Sequence, residues 1–175
     1  MDYYSFKYRF RCVSEITPDI LRELDIKGVA VDLDNTLVFD GTFKFFEGAG
    51  KWVASIREAG IPVIILSNTS SMRALFLAQH LKVNYIAFAK KPSPKAIFKA
   101  AKKLGVTVSQ LGMVGDQIFA DVEAANRAGA TPLLVDPKTE ELFFKKRFKR
   151  IRKKEKPLLE KFDKEIGYYV DNRRL

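Results

Sequence analysis

The sequence predicts an α/β fold: a Rossmann-like, doubly wound, mainly parallel five-stranded sheet. Two observations carry that reading. Short apolar runs rich in Val, Ile and Leu recur without strict alternation, as in strands covered on both faces. Segments with helical spacing separate them, and alternating strands and helices pack as a parallel sheet with right-handed crossovers.

The expected strands are residues 29–33, 61–66, 85–89, 111–114 and Thr131–Val135. Trp52, Ile56 and Ala59, three to four residues apart, mark the first helix between them, and Trp52 is expected in the core. Met72, Leu75, Phe76 and Gln79 mark the second, residues 96–104 the third and 122–128 the fourth. Gly60, Gly105 and Gly129 each follow a helix, where a C-cap glycine belongs. Pro137 then opens a different composition: residues 143–156 hold nine basic residues and one acid, Glu155. The chain thus divides into a core, 1–137, with a small flap near 38–47, and a basic helical segment, 138–175, packed on the core or extending from it.

A length of 175 residues suits one domain. Lysine plus arginine is 31 against 21 acids, a net charge of +10. That balance attracts polyanions, whether nucleic acid, anionic lipid or phosphorylated substrates, and does not choose among them. The single cysteine, Cys12, excludes an intrachain disulfide and fits a reducing compartment. No apolar run approaches the ~18 residues that span a bilayer. Residues 1–11 mix aromatics with charges, unlike a signal peptide. A cytoplasmic location is the expectation.

The polar residues fall at the carboxyl ends of the expected strands, where open parallel sheets bind ligands. Asp32 and Asp34 end the first, Ser67 and Asn68 the second, Lys90 and Lys91 follow the third, and Asp116 follows the fourth. Phosphoryl transfer needs a nucleophile, a proton donor, charge neutralisation and in-line geometry. Asp32 can supply the nucleophile. Asp34, two residues on along a strand, returns to the same side and can serve as general acid and base. Clustered carboxylates repel unless a cation joins them. Asp32, the backbone carbonyl of Asp34, and Asp116 offer hard oxygen ligands that suit Mg2+. Ser67, the Asn68 backbone N–H and Lys91 can hold the phosphoryl group, with Lys90 the alternative lysine. Thr36 can stabilise the turn or touch phosphate. His80, the only histidine, reads as a capping or surface residue.

DLDNTL at 32–37, LSN at 66–68, KP at 91–92 and GDQIFAD at 115–121 resemble, in order, the four motifs of the haloacid dehalogenase-like phosphatase superfamily. The stretch upstream of Asp32 more narrowly resembles the phosphatidylglycerophosphatase-like (YqeG-type) branch. The resemblance implies a phosphatase rather than a dehalogenase, since the phosphohydrolases of the family carry the second aspartate. It implies an aspartyl-phosphate on Asp32, and it places Asp121 near the metal's outer shell or beside Lys91. The intervals between motifs leave no room for a large cap domain. The site is therefore expected to be open to a bulky phosphorylated substrate, or covered by a neighbouring copy in a homo-oligomer.

In the flap, Phe39, Phe43, Phe45 and Phe46 can meet an apolar substrate or pack at home. In the tail, Phe144, Phe148 and Ile151 form one helical stripe among Lys145, Lys146, Lys149, Arg152 and Lys153. Basic amphipathic helices favour membrane surfaces. The expectation is phosphatidylglycerophosphate hydrolysis at an anionic membrane. The alternatives are nucleic-acid ends, sugar phosphates or phosphoproteins as substrates, or a non-catalytic nucleic-acid-binding module.

Overall fold

In the computed structural model the described residues are 2–138 and 146–172, without the side chains of 146–148 and 171–172. Six strands, all parallel, form one sheet: β1 (Tyr8–Phe10), β2 (Gly28–Val31), β3 (Val63–Leu66), β4 (Asn84–Ile86), β5 (Leu111–Gly115) and β6 (Thr131–Val135). Their order is β1-β6-β5-β2-β3-β4. The helices are α1 (Pro18–Glu23), α2 (Ala49–Glu58), α3 (Ser71–Leu81), α4 (Lys95–Leu104), α5 (Glu123–Ala128), α6 (Lys146–Glu165) and α7 (Tyr169–Asn172). β2, β3 and β5 are buried throughout, which is why they read as unbroken apolar runs.

The sheet has six strands rather than the expected five. β1 is a three-residue edge strand, YRF, too short and too polar to register as an apolar run. It pairs with β6, and Arg9 within it is buried against Asp136 and Asp163. Tyr168 donates to Asp136 at 2.5 Å, and Tyr169 packs edge-on against Tyr8 and Phe10. Strand pairing and these contacts hold the N-terminal strand where propensity alone would not.

The expected second helix exists as α3, but its apolar stripe faces outward. Ala74, Leu77, Ala78 and Leu81 are buried, whereas Met72, Leu75, Phe76 and Gln79 are exposed. The helix carries two apolar faces, and periodicity does not say which one meets the sheet. Trp52 is buried on α2, and its indole N–H donates to the Ile16 carbonyl at 2.8 Å. Gly105 and Gly129 cap α4 and α5 in the left-handed conformation (φ 69° and 84°), which glycine adopts without cost.

Among the described residues no large cap covers the sheet. Between β2 and α2, Val38 bridges antiparallel to Phe45, making a small hairpin flap. Phe39 packs on Phe46, and Phe45 stacks on His80. α6 lies at the β6 side, where Phe162, Leu158 and Leu159 pack with Phe6, Ile118, Val122 and Leu134. Of the expected tail stripe, Phe144 and the Phe148 side chain lie outside the described residues, as do Lys145 and the Lys146 side chain. Ile151 is half-buried, and Lys149 and Lys153 are exposed. Arg152 does not join a basic surface with them; it turns inward.

Candidate active site

Strand register assembles the site. Val31 pairs with Ile65 on one side and Val114 on the other. The residues just beyond, Asp32, Ser67 and Asp116, therefore emerge side by side at the carboxyl edge. The Asp32 N–H donates to the Val114 carbonyl at 2.9 Å, and the Ser67 N–H to the Ile86 carbonyl at 3.1 Å. All three side chains are buried. A cavity of about 390 Å3 opens over them, lined by Asp32, Asp34, Ser67, Asn68, Arg73 and Lys91 among others.

Lys91 is the hub. Its ammonium lies 2.9 Å from Asp32 Oδ1, donates to Asp121 Oδ1 at 2.6 Å and reaches the Leu66 carbonyl at 3.0 Å. Asn68 clamps its backbone: Lys91 N–H donates to Asn68 Oδ1 at 2.9 Å, and Asn68 Nδ2 to the Lys91 carbonyl at 3.3 Å. Burial works against the charged ammonium, but Asp121 and Asp32 outweigh it and hold Lys91 above its ordinary range. Lys90, by contrast, is exposed. Asn68 thus positions the lysine with its side chain. Neither Ser67 nor Asn68 starts a helix, because α3 begins only at Ser71.

Carboxylate oxygens of Asp32, Asp116 and Asp121 all lie within 4.8 Å of one another. Burial pushes Asp32 up to about 6, with Asp121 and Asp34 adding to it and Lys91 opposing. Burial likewise pushes Asp116 up to about 8, against the pull of Arg152. Asp32 Oδ1 accepts no hydrogen bond among the described residues beyond its ion pair with Lys91. A buried trio of hard oxygens with surplus negative charge fits a small divalent cation. Gly115 makes room for Asp121: a Cβ there would lie 2.3 Å from Asp121 Cγ. The Gln117 N–H donates to Asp121 Oδ2 at 3.0 Å, fixing that carboxylate from the other side. Thr36 Oγ1 donates to Asp116 Oδ1 at 3.4 Å.

Two arginines were not among the residues expected here. Arg73 of α3 holds Asp34 with both guanidinium nitrogens at 2.8 Å. It also reaches the Thr42 carbonyl in the flap and Thr69 Oγ1. A basic residue in the first turn of a helix opposes the macrodipole, and that is the signal the sequence held. Arg152 of α6 donates to the Asp116 carboxylate and, at 2.7 Å, to the Asp116 carbonyl. Glu155, one turn on, pairs with Arg152 at 2.9 Å and accepts the Ile118 N–H at 2.7 Å. The basic segment expected to favour a membrane surface thus reaches one of the four motifs. Glu155, the lone acid in the basic run, was its trace in the sequence.

Residues 39–129 match the family model of the haloacid dehalogenase-like hydrolases, just over half of the chain. The chain belongs to that family. It is an enzyme of the phosphatase kind. It is 34% identical over 142 residues to the probable phosphatase YqeG of Bacillus subtilis, covering 79% of this chain and 80% of that one. It is 24% identical over 144 residues to phosphatidylglycerophosphate phosphatase 1, chloroplastic/mitochondrial, of Arabidopsis thaliana. That match covers 76% of this chain and 41% of the longer relative. Among solved structures it resembles the cobalt-bound deoxy-D-mannose-octulosonate 8-phosphate phosphatase (YrbI) of Haemophilus influenzae. The TM-score is 0.50 with 25% identity, over 61% of this chain and 66% of that one. The family match starts at residue 39, past Asp32 and Asp34; strand register is what joins those two aspartates to the rest. No helix among the described residues is long and apolar enough to cross a membrane.

Proposed function

We propose that the protein hydrolyses a phosphate monoester through an aspartyl-phosphate on Asp32, and that its substrate is a phosphorylated lipid of the phosphatidylglycerophosphate kind. The observation that carries the chemistry is the convergence of Asp32, Lys91, Asp116 and Asp121 at the floor of one open cavity.

Asp32 attacks phosphorus, the bond to the leaving oxygen breaks, and Asp34 protonates that oxygen. Water activated by Asp34 then cleaves the acyl phosphate, releasing inorganic phosphate and restoring Asp32. Lys91, Ser67 and the Asn68 N–H hold the phosphoryl oxygens, and Asn68 keeps Lys91 in place. Asp32, Asp116 and Asp121 would hold magnesium, with the Asp34 carbonyl as a further oxygen donor. A bound ion there would supply charge neutralisation for the transferring group.

Three features favour a lipid: the cavity has no large cap, the chain is strongly basic, and one relative bears the name of a phosphatidylglycerophosphate phosphatase. Action in the cytoplasm, at the inner face of a membrane, follows from that substrate. Similarity to an octulosonate 8-phosphate phosphatase favours sugar phosphates as the second reading. The test is phosphate release from phosphatidylglycerophosphate in mixed micelles, beside a panel of sugar phosphates, by wild type and Asp32→Asn. Lipid hydrolysis that needs magnesium and vanishes in the variant supports the proposal. Turnover of sugar phosphates alone overturns the lipid assignment, and full activity in Asp32→Asn overturns the covalent route.

A further inference from the structure

Between Glu58 and Asp116 the chain carries no aspartate or glutamate, against eight lysines and arginines. That stretch runs from β3 through α3, β4 and α4 to β5, and all eight basic residues lie on α3, on α4 or in the loops that flank β4. β3 and β4 end the strand order, α3 packs on β4, and α4 packs on β3. Arg73 and Lys91 pair with acids of the site, and Lys82, Lys102 and Lys103 are exposed. Lys90, Lys95 and Lys99 are all exposed.

The same side exposes large apolar groups that the core does not use. Met72 is 82% exposed, Phe88 60%, Phe76 55% and the flap's Phe43 53%. They form a rim rather than scattered singles. Met72 and Phe76 are one turn apart on α3, and Phe43 meets Phe76 edge-on with centroids 5.1 Å apart. The Phe88 N–H donates to the Thr69 carbonyl at 3.0 Å, which ties its loop to the start of α3. Phe88 is held at φ 47°, a conformation that bulky side chains avoid, and still points to solvent. Thr69, Arg73 and Gly41, neighbours of these residues in sequence, line the cavity above Asp32. The rim therefore borders the mouth of the site.

We propose that this rim is a bilayer-docking surface: Met72, Phe76, Phe88 and Phe43 enter the headgroup boundary of an anionic membrane while the acid-free flank meets its negative charge. Aromatic and thioether side chains suit that boundary, and exposed apolar patches ringed by charge mark interaction sites. Each basic residue near an anionic leaflet strengthens binding about fivefold. The occupant follows from the charge: α3, α4 and the loops flanking β4 carry basic residues and no acid, and a second copy would bring like charge against them. The inference deepens the lipid reading and rests on it only for the substrate. It also moves the membrane contact away from α6, which lies at the opposite end of the strand order.

The test is co-sedimentation with vesicles of phosphatidylcholine alone, or mixed with phosphatidylglycerol in equal parts. Wild type is compared with a rim variant, Met72→Gln, Phe76→Gln and Phe88→Gln together, and a tail variant, Arg150→Gln, Lys153→Gln and Lys154→Gln. Wild type is expected to bind the anionic vesicles and scarcely the neutral ones. The rim variant loses about a hundredfold in partition, three partial burials at roughly fivefold each. The tail variant loses less. Hydrolysis of a soluble phosphate ester by the rim variant stays near wild type, which shows that it folds. Absence of wild-type binding, or equal binding by the rim variant, overturns the proposal. So does a wild-type dimer, seen by sedimentation, that the rim substitutions dissolve. Vesicle binding without hydrolysis of phosphatidylglycerophosphate would sink the lipid-substrate reading and leave the docking surface standing.

Discussion

Arg73 grips both carboxylate oxygens of Asp34 at 2.8 Å, and the same guanidinium reaches the Thr42 carbonyl in the flap. One side chain thus sets the proposed acid–base group and the hairpin beside it. The Gly41 N–H completes the hold on Asp34 at 2.7 Å.

Arg73→Lys keeps the charge and loses the planar fork. Turnover of a soluble ester is expected to fall about tenfold to a hundredfold, because Asp34 is no longer fixed. Limited proteolysis should cut the flap, residues 39–45, faster than in wild type. Unchanged rates of both would show that the fork positions nothing.

Gly115→Ala probes the acid trio. The new Cβ would meet Asp121 at 2.3 Å, and Asp121 is pinned by Lys91 and the Gln117 N–H. Something must shift, at a cost of roughly 1–3 kcal/mol in stability. Magnesium binding by calorimetry should weaken about tenfold or more. Wild-type affinity in this variant would remove Asp121 from the metal's surroundings.

Arg152→Gln separates the two roles of Asp116. Without metal, the variant leaves a buried carboxylate without its guanidinium. The Arg152 side chain is 22% exposed, so the loss is below that of a fully buried pair, about 2 kcal/mol. Magnesium should then raise the melting temperature more in the variant than in wild type, since Arg152 no longer competes for Asp116. An equal rise in both would show that arginine and metal do not share that carboxylate.

The pH dependence of the metal-free protein follows from the same acids. Burial raises Asp116 from the ordinary 3.8 to about 8 and Asp32 to about 6. Between about pH 4 and pH 8 the folded chain keeps protons that the unfolded chain has released. Stability in chelator is therefore expected to fall as pH rises through that window and to level off above it. Added magnesium should restore most near pH 8. Denaturant melts across pH check this, and stability that rises over the window would contradict it.

The sequence by itself determined the alternation of strands and helices, the sheet-edge position of the acids and their order along the chain. Those features are local: apolar runs, glycine caps and polar residues one step past a strand end. The strand-end residues Asp32, Asp34, Ser67, Lys91 and Asp116 stood out because phosphoryl chemistry needs those side-chain types at that edge, and the family resemblance added Asp121. Only the tertiary structure decided the rest. β1 exists because β6 offers it a partner and Asp136 and Asp163 hold Arg9, contacts more than a hundred residues distant. α3 shows two apolar faces, and the sheet chose Ala74 and Leu77 over Met72 and Phe76. The sequence alone did not link Arg73 to the site, and Arg152 read as part of a basic membrane-facing helix, until folding brought Asp34 and Asp116 within reach. Periodicity reports which residues share a face; packing between distant segments decides what that face meets.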